Sequence, residues 1–284
     1  MKMRFIALLF LFLSVHTTFG QKSNARDYMS KDIGVFFGGS YYTGDLNPSK
    51  HLSQSQPAAG AFFRFNYNNR FALRTGLNFG QIFADDSQSD EPDQLERNLN
   101  FKSRVYELYV SNEFNFVEYR IGNDKFNFSP FLFLGLSLFK FNPMASYNDN
   151  WVELRDLSTE GQKTSQNPGK KPYKLTQIAI PFGIGIKVNL AKYAGLSIEW
   201  GPRKTFTDYL DDVSGEYVNP LILTGEKGEL AGILSDRSKN GINKIENIGR
   251  LRGDPKTKDW FYFVGATLSI QLKQSPKECR SGGR

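Results

Sequence analysis

Between positions 177 and 188 the chain alternates without a break. Ile178, Ile180, Phe182, Ile184, Ile186 and Val188 are apolar, whereas Gln177, Ala179, Pro181, Gly183, Gly185 and Lys187 are small or polar. A period of two over about twelve residues marks a strand with two unlike faces, longer than most soluble strands and near the length that a tilted strand needs to cross a bilayer. The pattern recurs at the end of the chain. There Tyr262, Val264, Ala266, Leu268, Ile270 and Leu272 oppose Phe261, Phe263, Gly265, Thr267, Ser269 and Gln271. It is partial over 129–141, where Leu132, Leu134, Leu136 and Leu138 face Phe131, Phe133, Gly135, Ser137 and Phe139. Further strands are expected at 33–43, 58–67, 71–83, 105–116 and 195–205, for roughly eight in all. Pro181 is awkward inside a strand, because it has no N–H to give to a ladder.

The links alternate in length as the faces alternate in polarity. Asn68-Asn69 and the segments 118–125 and 191–194 are short, whereas 44–57, 84–100, 142–174 and 208–258 are long and polar. Short turns on one side and long loops on the other are the arrangement of outer-membrane barrels. The fold class expected is therefore all-β, an eight-stranded antiparallel transmembrane β-barrel with long external loops. The longest of these, 208–258, has the length at which loops are often mobile.

The N-terminus fits that reading. Lys2 and Arg4 precede the apolar run from Phe5 to Leu13, and Thr18-Phe19-Gly20 supplies small residues at a cleavage point before Gln21. This is the build of a secretory signal peptide, too short for a spanning helix. The organisation expected is a signal peptide at 1–20, an N-terminal periplasmic segment at 21–32, the barrel at 33–272 and a polar C-terminal tail at 273–284. Aromatic residues make up 14% of the chain, yet the mean hydropathy is −0.44, as alternating strands require. The formal charge of +7 falls to about +5 without Lys2 and Arg4. With no basic helix or dense basic run left, nucleic acid is not an expected partner.

If the apolar faces meet lipid, Arg64, Arg74, Glu107, Lys187, Glu199 and Arg203 face the lumen. Unpaired ions there would be costly, so these residues are expected to pair and fill a narrow interior. Tyr41, Tyr42, Tyr67, Tyr109, Trp200, Trp260 and Tyr262 lie near strand ends, as interfacial girdles or as ordinary barrel packing.

Little in the chain suggests chemistry. Beyond the leader, His51 is the one histidine and Cys279 the one cysteine, so neither a Ser-His-Asp site nor a conventional zinc site can be assembled. His51 reads as a solvated loop residue and Cys279 as a free thiol, with an intermolecular disulfide as the alternative. The pairs Asp85-Asp86 and Asp211-Asp212 lack a spaced calcium-loop motif and read as solvated surface. Arg252-Gly253-Asp254 spells an integrin-recognition tripeptide but reads better as a loop leading to the last strand. No catalysis, cofactor, metal or small-molecule substrate is expected.

Several segments have a familiar form. They are Gly38-Gly39-Ser40-Tyr41-Tyr42-Thr43-Gly44-Asp45-Leu46-Asn47, Phe141-Asn142-Pro143, Thr159-Glu160-Gly161-Gln162 and Ile180-Pro181-Phe182-Gly183. With them go Gly201-Pro202-Arg203-Lys204-Thr205-Phe206-Thr207-Asp208-Tyr209-Leu210-Asp211-Asp212-Val213, the most specific, and Arg252-Gly253-Asp254-Pro255 before Asp259-Trp260. Together they resemble the PorG-like outer-membrane barrels of Bacteroidetes. The resemblance implies a non-catalytic component of the type IX protein secretion machinery, which in gliding bacteria also supports motility. It implies partners in the periplasmic ring proteins PorK and PorN, reached from short turns, from 21–32 or from the tail, with outer-membrane lipid around the wall. The alternative is a stand-alone outer-membrane barrel acting as an adhesin or membrane-stabilising protein.

Overall fold

A computed structural model describes residues 29–239 and 244–272. The expected signal peptide, residues 21–28 of the N-terminal segment, and the tail with Cys279 lie outside the described residues. The strands in chain order are β1 (Ser30–Thr43), β2 (Gln56–Asn66), β3 (Phe71–Asp85), β4 (Asn100–Asn115), β5 (Phe128–Lys140), β6 (Pro143–Tyr147), β7 (Asn150–Glu153), β8 (Thr176–Ala191), β9 (Ala194–Thr205) and β10 (Trp260–Gln271). Eight of them, all but β6 and β7, form a closed antiparallel barrel in the order β3-β2-β1-β10-β9-β8-β5-β4, with β4 returning to β3. The seam joins the first strand to the last, from Asp32↔Gln271 to Thr43↔Trp260. Closure leaves no free edge, so every wall strand has a partner on both sides.

The alternation decides which way each strand faces. Ile33, Leu77, Leu108, Leu136, Ile184, Ile198 and Ile270 are exposed on the outer wall, whereas Arg64, Arg74, Glu107, Phe131, Lys187 and Thr267 are buried within. Two strands start earlier than their hydropathy suggests. β1 begins at Ser30, not 33, because Asn66 donates to both Ser30 Oγ and Asp32 Oδ2 at 2.8 Å, fixing the polar start of the strand in the lumen. That moves residues 30–32 from the expected N-terminal segment into the barrel. β4 begins at Asn100, not 105, paired with Asp85 in a ladder that rises past the apolar band. Pro181 is accommodated by a gap. β5 pairs with β8 at Leu134↔Phe182 and Ser137↔Ala179 and skips Ile180 and Pro181, while Pro181 keeps Arg203 as its partner on β9.

At one end the links are tight. Asn68 Oδ1 accepts from the backbone N–H of Arg70 and of Phe71 at 2.8 Å, closing the β2–β3 turn. In the β4–β5 link Gly122 has φ +76°, and a Cβ there would lie 2.0 Å from the Lys192 carbonyl of the β8–β9 turn, so only glycine fits. At the other end the long links form an ordered cap. It contains helix α1 (Pro92–Arg97), the β6–β7 hairpin, and helices α2 (Pro220–Lys227) and α3 (Glu229–Ser235). Helices α2 and α3 lie in the described part of 208–258, expected from the sequence only as a long polar link. Asn219 caps α2 by accepting from Leu221 N at 2.9 Å, Pro220 opens its first turn, and Leu223, Ala231 and Val218 form a small core.

Candidate functional site

The lumen near the tight-turn end holds a network centred on Glu113 of β4. Arg64 Nε of β2 lies 2.9 Å away, Arg74 Nε of β3 3.1 Å and Lys187 Nζ of β8 2.6 Å. Arg64 also lies 3.7 Å from Asp32 of β1, and Arg74 pairs with Glu199 of β9 at 2.7 Å. A second pair, Arg203 with Glu107, sits further up at 3.2 Å, and Asn78 donates to Glu107 at 2.8 Å. All six residues singled out from the sequence are buried here. Sequence reasoning missed Asp32, hidden by the strand boundary. It also missed Glu113, whose parity along β4 matches that of Glu107 and could have found it. Four anions (Asp32, Glu107, Glu113, Glu199) face four cations (Arg64, Arg74, Lys187, Arg203). The formal charges of the network sum to zero.

Above the network the lumen is apolar, which the expectation of an interior filled by ion pairs did not include. Phe36, Phe101, Phe139, Phe141, Phe261 and Phe263 form one buried cluster with Tyr42, Ile82, Val105 and Leu210. Leu210 enters from the cap, so barrel and cap share this core. The Arg203 guanidinium lies 4.6 Å from the Phe263 ring centroid and joins the charged layer to the aromatic one.

The cap is held to the barrel by buried carboxylates. Glu160 accepts from the backbone N–H of Ser214 (2.8 Å) and Gly215 (2.9 Å), from Lys170 Nζ (2.8 Å) and from the Tyr209 hydroxyl (3.0 Å), with Arg252 at 3.5 Å. Burial pushes the Glu160 carboxyl up, but Arg252 and Lys170 outweigh it and hold the group below its ordinary value. Asp212 accepts from Tyr173 at 2.6 Å and from Thr159; burial raises its pKa to about 6 despite Arg252. Asp211 accepts from the Tyr42 hydroxyl, which also lies 3.2 Å from Asp259 Oδ1. Burial lifts both acids well above the usual carboxylate range, and each is lifted further by negative neighbours, Asp45 for Asp211 and Asp211 for Asp259. Each acid also accepts a backbone N–H, Asp211 from Val213 and Asp259 from Leu210, both at 2.9 Å. Asp86 is also fully buried and receives Arg97 through both oxygens at 2.8 Å. Asp86, Asp211 and Asp212 are therefore interior, not solvated as the sequence suggested. Each carboxyl is met there by hydrogen-bond donors, Arg97 for Asp86, Val213 N for Asp211 and Tyr173 for Asp212.

The motif residues divide between these layers. Gly44 packs under Tyr42 and Asp259, and Asp45 accepts from Asp254 N at 2.8 Å. Gly201, Pro202 and Arg203 line the wall of β9, and Lys204 lies 4.4 Å from the Trp260 ring. Asp208 accepts from Ser214 at 2.7 Å, and Tyr209 stacks on Tyr173 at 4.8 Å. Arg252 is buried, donating to the Asp212 carbonyl at 2.6 Å, so the Arg-Gly-Asp sequence is not presented as a loop tip. His51 is exposed and sits edge-on to Tyr41 and Tyr262, which stack at 4.3 Å. Trp200 Nε1 donates to the Tyr41 hydroxyl at 2.8 Å; Tyr41 and Tyr262 are buried beside it and only Trp200 of the three is exposed on the outer wall. Tyr42 and Tyr109 instead face the lumen and belong to no girdle. Among the described residues no group of three or more His, Cys, Asp or Glu side chains could hold a metal ion.

Several solved barrels are similar to this chain at low identity. Neisserial surface protein A aligns with a TM-score of 0.40 at 8% identity, covering 86% of this chain and 99% of that one. The attachment invasion locus protein Ail of Yersinia pestis aligns at 0.37 and 10%, with the same coverage. The outer membrane protein OprG of Pseudomonas aeruginosa aligns at 0.35 and 10%, covering 86% and 97%. No curated protein matches the chain. A family described as "Domain of unknown function (DUF6089)" matches residues 4–224, most of the sequence, and the chain belongs to that family.

Proposed function

We propose that this protein is a non-catalytic anchor of the outer membrane, a sealed barrel that holds an ordered external cap and offers its short turns to a periplasmic partner. One observation carries the reading. The apolar outer wall surrounds a lumen blocked first by a charge-neutral network and then by a plug of phenylalanines. A closed barrel with an apolar exterior satisfies every backbone group in hydrocarbon, and a blocked lumen argues against solute passage. In this orientation the cap is external. The turn end faces the periplasm and exposes Tyr67, Phe116, Val117 and Tyr193. The finer reading is a component of the type IX secretion machinery bound to a PorK/PorN-like ring. It is supported by the sequence segments that run from Gly38 to Trp260.

The test is an affinity pull-down of the C-terminally tagged protein from detergent-solubilised outer membranes, with mass spectrometry of the co-purifying proteins. Recovery of periplasmic ring proteins supports the machinery reading. Recovery of the barrel alone, from membranes whose ring stays intact, removes it and leaves a stand-alone surface protein. Absence of the protein from the outer-membrane fraction removes the membrane reading itself.

A further inference from the structure

The outer wall changes character at its cap end. On β4 the outward positions run Val110, Leu108, Tyr106 and then Arg104 and Lys102. Lys140 at the end of β5 is paired with Tyr106 and with Thr176, the first residue of β8, and Lys174 lies two residues before Thr176. Neighbours two apart on a strand, or diagonal across a ladder, lie about 7–8 Å from one another. Lys102, Arg104 and Lys140 therefore form a short arc of positive charge along one side of the rim, and Lys174 stands in the link just outside β8 beside it. Arg104, Lys140 and Lys174 are exposed, and none of the four joins an ion pair among the described residues. Lys102 Nζ rests 3.9 Å from the Trp151 ring of the β6–β7 hairpin, and Arg104 is near enough to repel it. Inside the barrel every cation has a carboxylate; these four make no ion pair among the described residues.

Directly below Lys140 the wall is hollow. A groove of about 620 Å³ runs over Ala59 and Ala61 of β2, with Leu77, Phe79, Leu108 and Leu138 as its sides and Lys140 and Thr176 at its upper end. The small residues of β2 let the groove sink between the larger ones. An apolar slot ending in an uncompensated cationic arc matches one kind of molecule, an amphiphile with acyl chains and a phosphorylated head. The opposite rim also carries exposed cations, Lys31, Arg70 and Lys192, but they lie on separate elements, and Arg70 already donates to the Phe116 carbonyl at 2.8 Å.

We infer that Lys102, Arg104, Lys140 and Lys174 bind the phosphate groups of a glycolipid of the external leaflet, with one acyl chain in the groove below Lys140. This rests on the outer-membrane orientation proposed above. Long basic side chains at a membrane interface reach outward to the head groups while their stems stay on apolar surface.

The test uses the full mature chain refolded in detergent and titrated with diphosphorylated lipid A, its dephosphorylated form and inorganic phosphate. Bound species are read by native mass spectrometry. The diphosphorylated lipid should be retained at least tenfold more tightly than the dephosphorylated one. The combined variant Lys102→Gln, Arg104→Gln, Lys140→Gln should lose that preference, and Lys31→Gln with Lys192→Gln should keep it. Ala61→Leu, which fills the groove but leaves the charges, should weaken both lipids alike. Equal retention of the two lipids, displacement by inorganic phosphate, or an unchanged triple variant would overturn the inference. Heat-dependent gel mobility and insertion into vesicles are measured on the same samples. Failure to insert counts against the membrane reading, whereas normal insertion without lipid preference counts against this inference alone.

Discussion

Lys187 Nζ lies 2.6 Å from Glu113 Oε2 across the lumen, between strands that are not neighbours in the wall. Glu113 meets two further cations, so its one negative charge holds β2, β3 and β8 to β4. Removing one partner of a buried ion pair commonly costs about 3–5 kcal/mol, because the other charges remain buried. Glu113→Ala should therefore destabilise the barrel by about that amount. Urea unfolding of protein folded into vesicles measures it, and an unchanged midpoint would show that the network fills space without holding the strands.

Arg252 does for the cap what Glu113 does for the lumen. It lies 3.5 Å from Glu160 and donates to the Asp212 carbonyl, joining segments that are far apart in the chain. Arg252→Ala should leave the barrel folded but loosen the cap, so that limited proteolysis within 208–258 speeds up about tenfold or more. The same burial predicts that the intact protein does not bind integrins through Arg252-Gly253-Asp254. Saturable, peptide-competed binding of integrin to the folded protein would contradict it.

The parts of this arrangement differ in how far the sequence revealed them. Strand faces were legible because lipid and lumen impose opposite chemistry on successive residues, so Ile184 and Gly185 announce their sides. The ends of β1 and β4 were not, because Asp32 and Lys102 are polar for different reasons, one facing the lumen and the other the rim. The aromatic plug was obscured by the same rule read too strictly, since a filled lumen accepts Phe139 and Phe261 as readily as the lipid face accepts its own apolar residues. The buried cap acids were beyond reach. Asp211 and Asp212 look like solvated surface until Tyr42, Tyr173 and Arg252 are seen around them. The cap helices did leave a signal, Asn219-Pro220 ahead of an apolar run, masked by the all-β pattern on either side.

The cap should be most stable in mild acid. Asp212 and Asp45 have folded pKa values raised to about 6 from an ordinary 3.8, in each case mainly by burial. Their protonated forms favour the folded cap. That contribution is complete below about pH 3.8 and is lost as pH rises through about 6. Glu160 acts in the opposite sense. Its lowered pKa contributes stability above its ordinary 4.5 that is lost as pH falls through the folded value. Hydrogen exchange in 208–239, corrected for intrinsic rates, should show greatest protection near about pH 4 and a steady decline from there to about pH 6. Asp212→Asn should flatten the decline on the alkaline side. Protection that rises steadily from pH 5 to 8 would contradict the assignment.

The seam that closes the barrel depends on two facing glycines. Gly38 of β1 is in register with Gly265 of β10. A Cβ on Gly38 would lie 2.1 Å from the Val264 carbonyl and 2.7 Å from Gly265 Cα, and one on Gly265 would lie 2.3 Å from the Phe37 carbonyl. These neighbours are backbone atoms of a paired strand, so no side-chain rotation relieves the clash. Gly38→Ala must push β1 away from β10 at the junction where the first and last strands meet, the contact with the greatest separation in sequence. Such contacts form late and slowly in folding. The expected outcome is a lower yield of the heat-modifiable folded form after dilution into vesicles, with slower appearance of that form. Gly169→Ala serves as the control, since a Cβ there meets nothing within 4 Å. Equal folding rates for Gly38→Ala and the control would mean that the seam opens enough to take a methyl group, and that closure is governed elsewhere in the wall.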